Sequence, residues 1–213
     1  RPLPSPGVLE QTIRQWGIDA DSLVIVYDAT SGAQASRAWW TFRWAGHERV
    51  RLLDGGFNAW KSGGYATSKN PSFCSQSGNF IISAGGMPTI GAEEAQEIAR
   101  TGTLLDARGK SAFEGEAGKP DTGHIPGAIS APAAAALNAE GYFKTDEELV
   151  THFSELGAKD TDQLAVYCGS GNAAAHDLAA MYAAGMNGAL YVGSWSAWVG
   201  DSARPVAQGP EPG

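Results

Sequence analysis

One cysteine lies where the chain is best placed to carry out chemistry. Cys168 follows the apolar run Leu164–Tyr167, which predicts a short buried strand, and an alanine-rich helix is predicted to begin just after it. Backbone amides and the positive end of a helix dipole favour negative charge at such a point, and the thiolate is the nucleophilic form of cysteine. We therefore predict that Cys168 is a nucleophile. The predicted anion-binding loop comprises Gly169, Ser170, Gly171, Asn172 and Ala173. The alternative, an inert buried cysteine beside a tight turn, stays open at this point.

Composition and charge argue against several classes of protein. The 213 residues carry a formal net charge of −8, which argues against nucleic acid or an anionic membrane surface as a partner. No apolar run is long enough to span a bilayer, and the first residues do not resemble a signal peptide. The two cysteines, Cys74 and Cys168, do not form a disulfide scaffold, and a free thiol fits a reducing, cytoplasmic compartment. We expect Cys74 to be an incidental exposed thiol, and neither a metal nor a cofactor is predicted.

The elements expected around Cys168 have counterparts earlier in the chain. Equivalent residues 140 positions apart are Leu9 and Leu149, Gly17 and Gly157, and Tyr27 and Tyr167, and pairs 138 apart are Gly55 and Gly193, and Trp60 and Trp198. A fixed internal period indicates duplication. Each copy is predicted to run helix, strand, helix, strand, helix, with buried strands such as residues 23–27. This alternation indicates an α/β fold with parallel sheets.

The two copies differ in two respects. Asp28 stands in the first copy where Cys168 stands in the second, so we expect the first copy to be non-catalytic. The second copy also has an upstream part, residues 89–144, whose counterpart would precede Arg1. We therefore expect residues 1–65 to be the C-terminal half of an inactive domain, residues 66–86 a linker, and residues 87–205 the catalytic domain.

Several motifs together resemble the two-domain rhodanese sulfurtransferases. In the second copy these motifs are Asp106-Ala107-Arg108, Phe113, Gly123-His124-Ile125-Pro126-Gly127-Ala128, Tyr167-Cys168-Gly169-Ser170-Gly171 and Gly193-Ser194-Trp195. In the first copy they are Tyr27-Asp28-Ala29, residues 35–40 and Leu53-Asp54-Gly55-Gly56. The resemblance covers nearly the whole chain in the right order. It implies tandem rhodanese-like domains, each a parallel sheet flanked by helices, with the first domain truncated.

The resemblance also implies an activity. It is the transfer of a sulfane sulfur from 3-mercaptopyruvate or thiosulfate, through a persulfide on Cys168, to a thiol, a thioredoxin-type protein or cyanide. The Cys-Gly-Ser-Gly sequence is similar to the loop of the 3-mercaptopyruvate sulfurtransferases. The thiosulfate-preferring members usually carry basic residues after the cysteine, and here those positions are not basic.

One position departs from the family pattern. An arginine that binds the substrate carboxylate precedes the aromatic residue in the mercaptopyruvate enzymes, and Ala112 stands there in this chain. Arg108 or Lys119 is the candidate replacement, although Arg108 is equally suited to a structural ion pair with Asp106. We assign no catalytic role to His124 or His176.

Two other functions remain as alternatives. A phosphatase or arsenate reductase would need an arginine a few residues after Cys168, and residues 172–175 contain none. A non-catalytic rhodanese-like binding module is consistent with the truncated first copy and with Ala112.

Overall fold

The computed structural model describes residues 2–70, 74–119, 121–158 and 163–213. This part of the chain divides into two compact units, Pro2–Met87 and Pro88–Gly213. The first unit contains α1 (Pro6–Gln15), β1 (Val24–Val26), α2 (Ala33–Trp44), β2 (Val50–Leu52) and α3 (Gly56–Ser62). The second begins with β3 (Thr89–Ile90), α4 (Ala92–Thr101), β4 (Thr103–Asp106), α5 (Lys110–Glu114), β5 (Ile129–Ser130) and a 3-10 turn at Ala133–Ala136. It continues with α6 (Asp146–Glu155), β6 (Leu164–Tyr167), α7 (Asn172–Ala183), β7 (Ala189–Tyr191) and α8 (Ser194–Trp198).

The order of elements repeats between the two units. The run α1, β1, α2, β2, α3 of the first unit has the same order as α6, β6, α7, β7, α8 of the second. The strands are parallel in both units, paired β1-β2 in the first and ordered β3-β7-β6-β4-β5 in the second. The predicted α/β class with parallel sheets and flanking helices is therefore confirmed.

The core of the second unit lies against its central strand. β6 pairs with β4 on one edge and β7 on the other, and all four of its residues are buried. Tyr167, Phe113, Ile125 and Trp198 form an apolar cluster there with side chains of α4 and β4. The end of β6, where Cys168 follows, is consequently fixed on both sides. A capping box formed by Thr145 and Glu148 sets the start of α6.

The first unit differs from expectation at its strand β1. Residues 23–27 were predicted to form a buried strand, yet the side chains of Leu23, Ile25 and Tyr27 are 48–58% exposed. The prediction of burial is wrong for this face, because β1 pairs only with β2 among the described residues and no layer covers that side.

Part of the segment expected to be a linker packs against the first unit. The amide of Gly78 donates to the carbonyl of Arg14 at 2.8 Å, and the amide of Ser83 donates to Ala45 at 2.9 Å. Phe80 is buried between these contacts. Residues 71–73 of the segment lie outside the described part of the chain. Within the described ranges, no helix combines the length and the apolar character needed to cross a membrane.

Candidate active site

Cys168 lies between the end of β6 and the start of α7. Its side chain is buried, with 3% of the residue exposed, while Gly169 and Ser170 beside it reach the surface. Gly171 adopts a left-handed conformation with φ of 91° immediately before α7 and donates its amide to the Cys168 sulfur at 3.0 Å. Glycine is suited to this position because left-handed φ values strain other residues. The chain thus turns so that a main-chain donor faces the thiol.

The rest of the predicted loop lies at the N-terminus of the twelve-residue helix α7. The first amides of an α-helix have no acceptor within the helix, and here the helical ladder begins with Ala175 donating to Gly171. Asn172 and Ala173 precede that bond and are half-buried. A Cβ atom built on Gly169 would meet no heavy atom within 4 Å, so there is space next to the cysteine. The arrangement can hold an anion on the sulfur.

Arg108 is held in an ion pair with Asp106. Its Nη2 lies 2.5 Å from Oδ2 of the fully buried Asp106, and its Nε donates to the same carboxylate at 2.9 and 3.0 Å. Nη2 also donates to the carbonyl of Gly123 at 2.6 Å, and the guanidinium lies 4.5 Å from the ring of Trp195. Burial by itself would lower the pKa of Arg108, but hydrogen bonding to Asp106 raises it above its usual value. These contacts favour the structural interpretation of Arg108.

Lys119 has different surroundings. Its ammonium pairs with the carboxylate of Glu116 at 2.7 Å, and both side chains are mostly exposed. It lines an open groove of about 580 Å³ together with Arg204 and Gln208. Exposed ion pairs of this kind contribute little stability and exchange readily. Lys119 is therefore the more available of the two candidate cations, and Arg204, which the sequence did not single out, lies beside it.

The two histidines near the loop make packing contacts. His124 is buried, stacks on Phe113 at 3.8 Å between ring centroids, and directs Nδ1 to the Phe113 carbonyl and Nε2 to the Pro212 carbonyl. His176 lies on α7 against Phe143, with ring centroids 4.7 Å apart. Next to it, burial raises the pKa of Asp177 well above its usual range. Within the described ranges, no group of three His, Cys, Asp or Glu side chains could hold a metal ion.

The first unit has the same kind of loop, filled by its own carboxylate. Asp28 follows β1 and accepts hydrogen bonds through both carboxylate oxygens, at 2.8–3.1 Å from amides and 3.0 Å from a hydroxyl. The donors are the amides of Thr30, Gly32, Gln34 and Ala35 and the hydroxyl of Thr30. Burial alone would raise the pKa of Asp28, but the hydrogen bonds from Ala35, Thr30 and Gly32 lower it below its usual value. The loop that faces a thiol in the second unit thus faces a fixed anion in the first.

Comparison with known proteins agrees with this geometry. The family model described as a rhodanese-like domain matches residues 1–63 and 91–201. A Pseudomonas aeruginosa protein named "Probable 3-mercaptopyruvate sulfurtransferase" is 41% identical over 215 residues, which span 98% of this chain and 75% of that protein. The Gallus gallus protein named thiosulfate sulfurtransferase is 32% identical over 206 residues, spanning 92% of this chain and 70% of that protein.

The fold also occurs in a solved structure. The anaerobic ergothioneine biosynthesis enzyme from Chlorobium limicola superposes with a TM-score of 0.83 at 24% identity, over 97% of this chain. The matched region is 56% of that enzyme's length, and at this identity the likeness concerns the fold alone.

The chain belongs to the rhodanese-like domain family. The family predicted from the sequence motifs is therefore confirmed, and the named relatives also bear out the prediction of an enzyme of the sulfurtransferase class.

Proposed function

We propose that the protein transfers a sulfane sulfur through a persulfide on Cys168. The observation that carries the proposal is the 3.0 Å hydrogen bond from the Gly171 amide to the Cys168 sulfur, made at the N-terminus of α7. The predicted loop residues would serve as donors to the second sulfur atom, as an oxyanion hole does for oxygen. Those residues are Gly169, Ser170, Gly171, Asn172 and Ala173.

The reaction takes place in two displacements. The Cys168 thiolate attacks the outer sulfur of the donor, a new S–S bond forms, and the bond joining that sulfur to the rest of the donor breaks. The leaving group takes the electron pair and departs as sulfite from thiosulfate, or as the enolate of pyruvate from 3-mercaptopyruvate, which then gains a proton. An acceptor thiolate or cyanide next attacks the outer sulfur of the persulfide and regenerates the Cys168 thiolate. Covalent catalysis of this type divides one transfer into two easier ones.

We expect 3-mercaptopyruvate to be the better donor. The side chains that follow Cys168 in the loop carry no positive charge, whereas thiosulfate carries two negative charges close to the sulfur that is transferred. The carboxylate of 3-mercaptopyruvate needs one cation at a distance from the loop. Lys119 is the candidate for this role, because Arg108 is already held by Asp106 and by the Gly123 carbonyl.

The experiment is a steady-state assay with each donor in turn, using cyanide and then reduced thioredoxin as acceptor. Sulfur transfer should be measurable in the wild type, should persist in Cys74→Ser, and should be lost in Cys168→Ser. Cys74 is the matched control because it is the other cysteine and lies in the first unit. If the folded wild type transfers sulfur from neither donor, the proposal fails and the alternative of a non-catalytic binding module is favoured.

A further inference from the structure

Ser194 has an unusual backbone conformation. It is the first residue of α8, it is fully buried, and its φ of 53° lies in the left-handed region. Among the described residues it is the only one other than glycine with a positive φ. A side chain in this conformation is strained, and such residues persist where the surrounding structure requires them.

The Ser194 side chain makes two hydrogen bonds that link the ends of adjacent strands. Its Oγ accepts from the amide of Cys168 at 3.3 Å and donates to the carbonyl of Tyr191 at 2.9 Å. The last pair in the ladder between β6 and β7 is Val166 with Leu190. The hydroxyl therefore continues the connection between the strands beyond their paired residues, at the peptide group of the cysteine itself.

The next two residues of α8 hold the same segment from its carbonyl side. The amide of Trp195 donates to the carbonyl of Cys168 at 2.9 Å, and the amide of Ser196 donates to the carbonyl of Gly169 at 3.1 Å. Three consecutive residues thus contact the peptide groups on both sides of the Cys168 Cα atom. Because the Cα–Cβ bond is fixed by the backbone at that Cα atom, its direction depends on the two peptide groups that these contacts hold.

The first repeat provides an internal comparison. Gly56 occupies the equivalent place at the start of α3, with φ of 59°, and the amide of Phe57 donates to the carbonyl of Asp28 at 2.8 Å. The backbone arrangement is therefore the same, but glycine adopts this conformation without strain. A Cβ atom on Gly56 would lie 2.5 Å from the Asp28 carbonyl oxygen. The copy without a cysteine has the unstrained residue, and the copy with the cysteine has the strained residue that supplies a hydroxyl.

We infer that Ser194 is a positioning residue for Cys168, and that its hydroxyl orients the cysteine so that the sulfur faces the Gly171 amide. This inference rests on the proposed function for its biological meaning, but the position of the thiol can be tested without it. Ser194 does not itself touch the substrate in this account. It acts through the backbone of the residue that does.

The test compares Ser194→Gly with Ser194→Ala in a Cys74→Ser background, so that Cys168 is the single thiol. Ser194→Gly removes the hydroxyl and relieves the strain, as in the first repeat, whereas Ser194→Ala removes the hydroxyl and keeps the strain. Ser196→Ala is the matched control, because the Ser196 hydroxyl is exposed and donates to the carbonyl of Gly193, the N-cap residue of the same helix, rather than to the Cys168 segment. Alkylation of Cys168 by iodoacetamide, donor kcat and KM, and the urea midpoint are measured for each.

Both Ser194 variants should be alkylated by iodoacetamide about tenfold more slowly than the control, and their kcat for the donor should fall by the same factor, with KM unchanged. A decrease of about tenfold is expected for the loss of one hydrogen bond at the reacting group. Ser194→Gly should keep the wild-type urea midpoint, whereas Ser194→Ala should unfold at lower urea, so stability and reactivity separate. Alkylation of Ser194→Gly at the rate of Ser196→Ala would overturn the inference. A wild type that is alkylated normally but transfers no sulfur would refute the proposed function and leave the comparison of alkylation rates valid.

Discussion

Removing the Asp28 carboxylate should destabilise the first unit to a measurable extent. The carboxylate accepts hydrogen bonds from four backbone amides and one hydroxyl. Asp28 precedes Gly32, the N-cap residue of α2, but its carboxylate accepts from the helix amides of Gln34 and Ala35 as an N-cap side chain does. Replacing an acidic N-cap with alanine costs about 0.5–2 kcal/mol. Because Asp28 is half-buried and water would hydrate part of the exposed amides, we expect Asp28→Ala to lower the free energy of unfolding by about 2 kcal/mol. Asp28→Asn keeps one acceptor oxygen and should cost about half as much.

Urea unfolding followed by tryptophan fluorescence measures this change. Five of the seven tryptophans lie in the first unit, so the signal reports mainly on that unit. With a urea slope of about 2 kcal/mol/M, Asp28→Ala should lower the midpoint by about 1 M at pH 7. Asp21→Asn, a change of an exposed carboxylate in the turn before β1, is the matched control. An Asp28→Ala midpoint equal to that of the control would refute the conclusion that the carboxylate holds the loop.

The stability that Asp28 contributes should also depend on pH. The pKa of Asp28 is lowered in the folded chain, whereas the unfolded chain titrates near the ordinary value of about 3.9. The unfolded state therefore takes up the proton first as the pH falls. The stability due to Asp28 should be complete above about pH 5 and should decline as the pH falls through the folded pKa. The difference between wild type and Asp28→Ala should shrink over that range, and a constant difference would contradict the assignment.

Further substitutions test other parts of the structure. Lys119→Gln should raise KM for 3-mercaptopyruvate without changing the urea midpoint. Arg108→Gln should cost about 3 kcal/mol in unfolding experiments, because the buried carboxylate of Asp106 loses its paired cation. Burial lowers the pKa of His47, so His47 gains a proton in the unfolded protein before it does so in the folded protein. The free energy of unfolding should therefore fall as the pH drops below about 6.5. His47→Gln should flatten that dependence in urea titrations from about pH 8 to about pH 5. Gly123→Ala should prevent stable folding, since its Cβ would lie 2.1 Å from a carbonyl oxygen, while Gly118→Ala, with open space around it, should lower the thermal midpoint only slightly.

Local sequence patterns were sufficient to predict β6 and α7, the strand and the helix on either side of Cys168. The apolar run at Leu164–Tyr167 forms β6 with the predicted bounds, and α7 begins at Asn172, soon after Cys168, as the alanine-rich run predicts. These predictions depend on side-chain periodicity and on glycine conformations, which are properties of neighbouring residues. The internal repeat also predicted that helices and strands follow the same order in both units, because equivalent residues recur at nearly constant spacing.

Contacts between distant parts of the chain could not be predicted in the same way. The exposure of Ile25 depends on whether another layer covers β1, which the pattern of that strand does not encode. The sequence alone does not decide whether Arg108 pairs with Asp106 or binds substrate, since a cation next to a strand end suits either role. Gln208, whose amide contacts three carbonyls of the loop that carries Lys119, gave no signal at all.

The importance of Ser194 could in part have been predicted from the sequence. Alignment of the repeats by the spacing of 138 places it opposite Gly56, so a residue with a side chain stands where its counterpart is glycine. The sequence alone does not show why the difference between serine and glycine matters. The structure does, because φ is left-handed at both positions and the serine is therefore strained.

The central claim, a persulfide on Cys168, is tested most directly by intact-protein mass spectrometry of the Cys74→Ser chain after incubation with 3-mercaptopyruvate or thiosulfate and removal of the donor. We predict a gain of one sulfur atom, its loss on addition of a thiol, and no gain in the chain that also carries Cys168→Ser. An unchanged mass with both donors, in protein shown by circular dichroism to be folded, would contradict the claim.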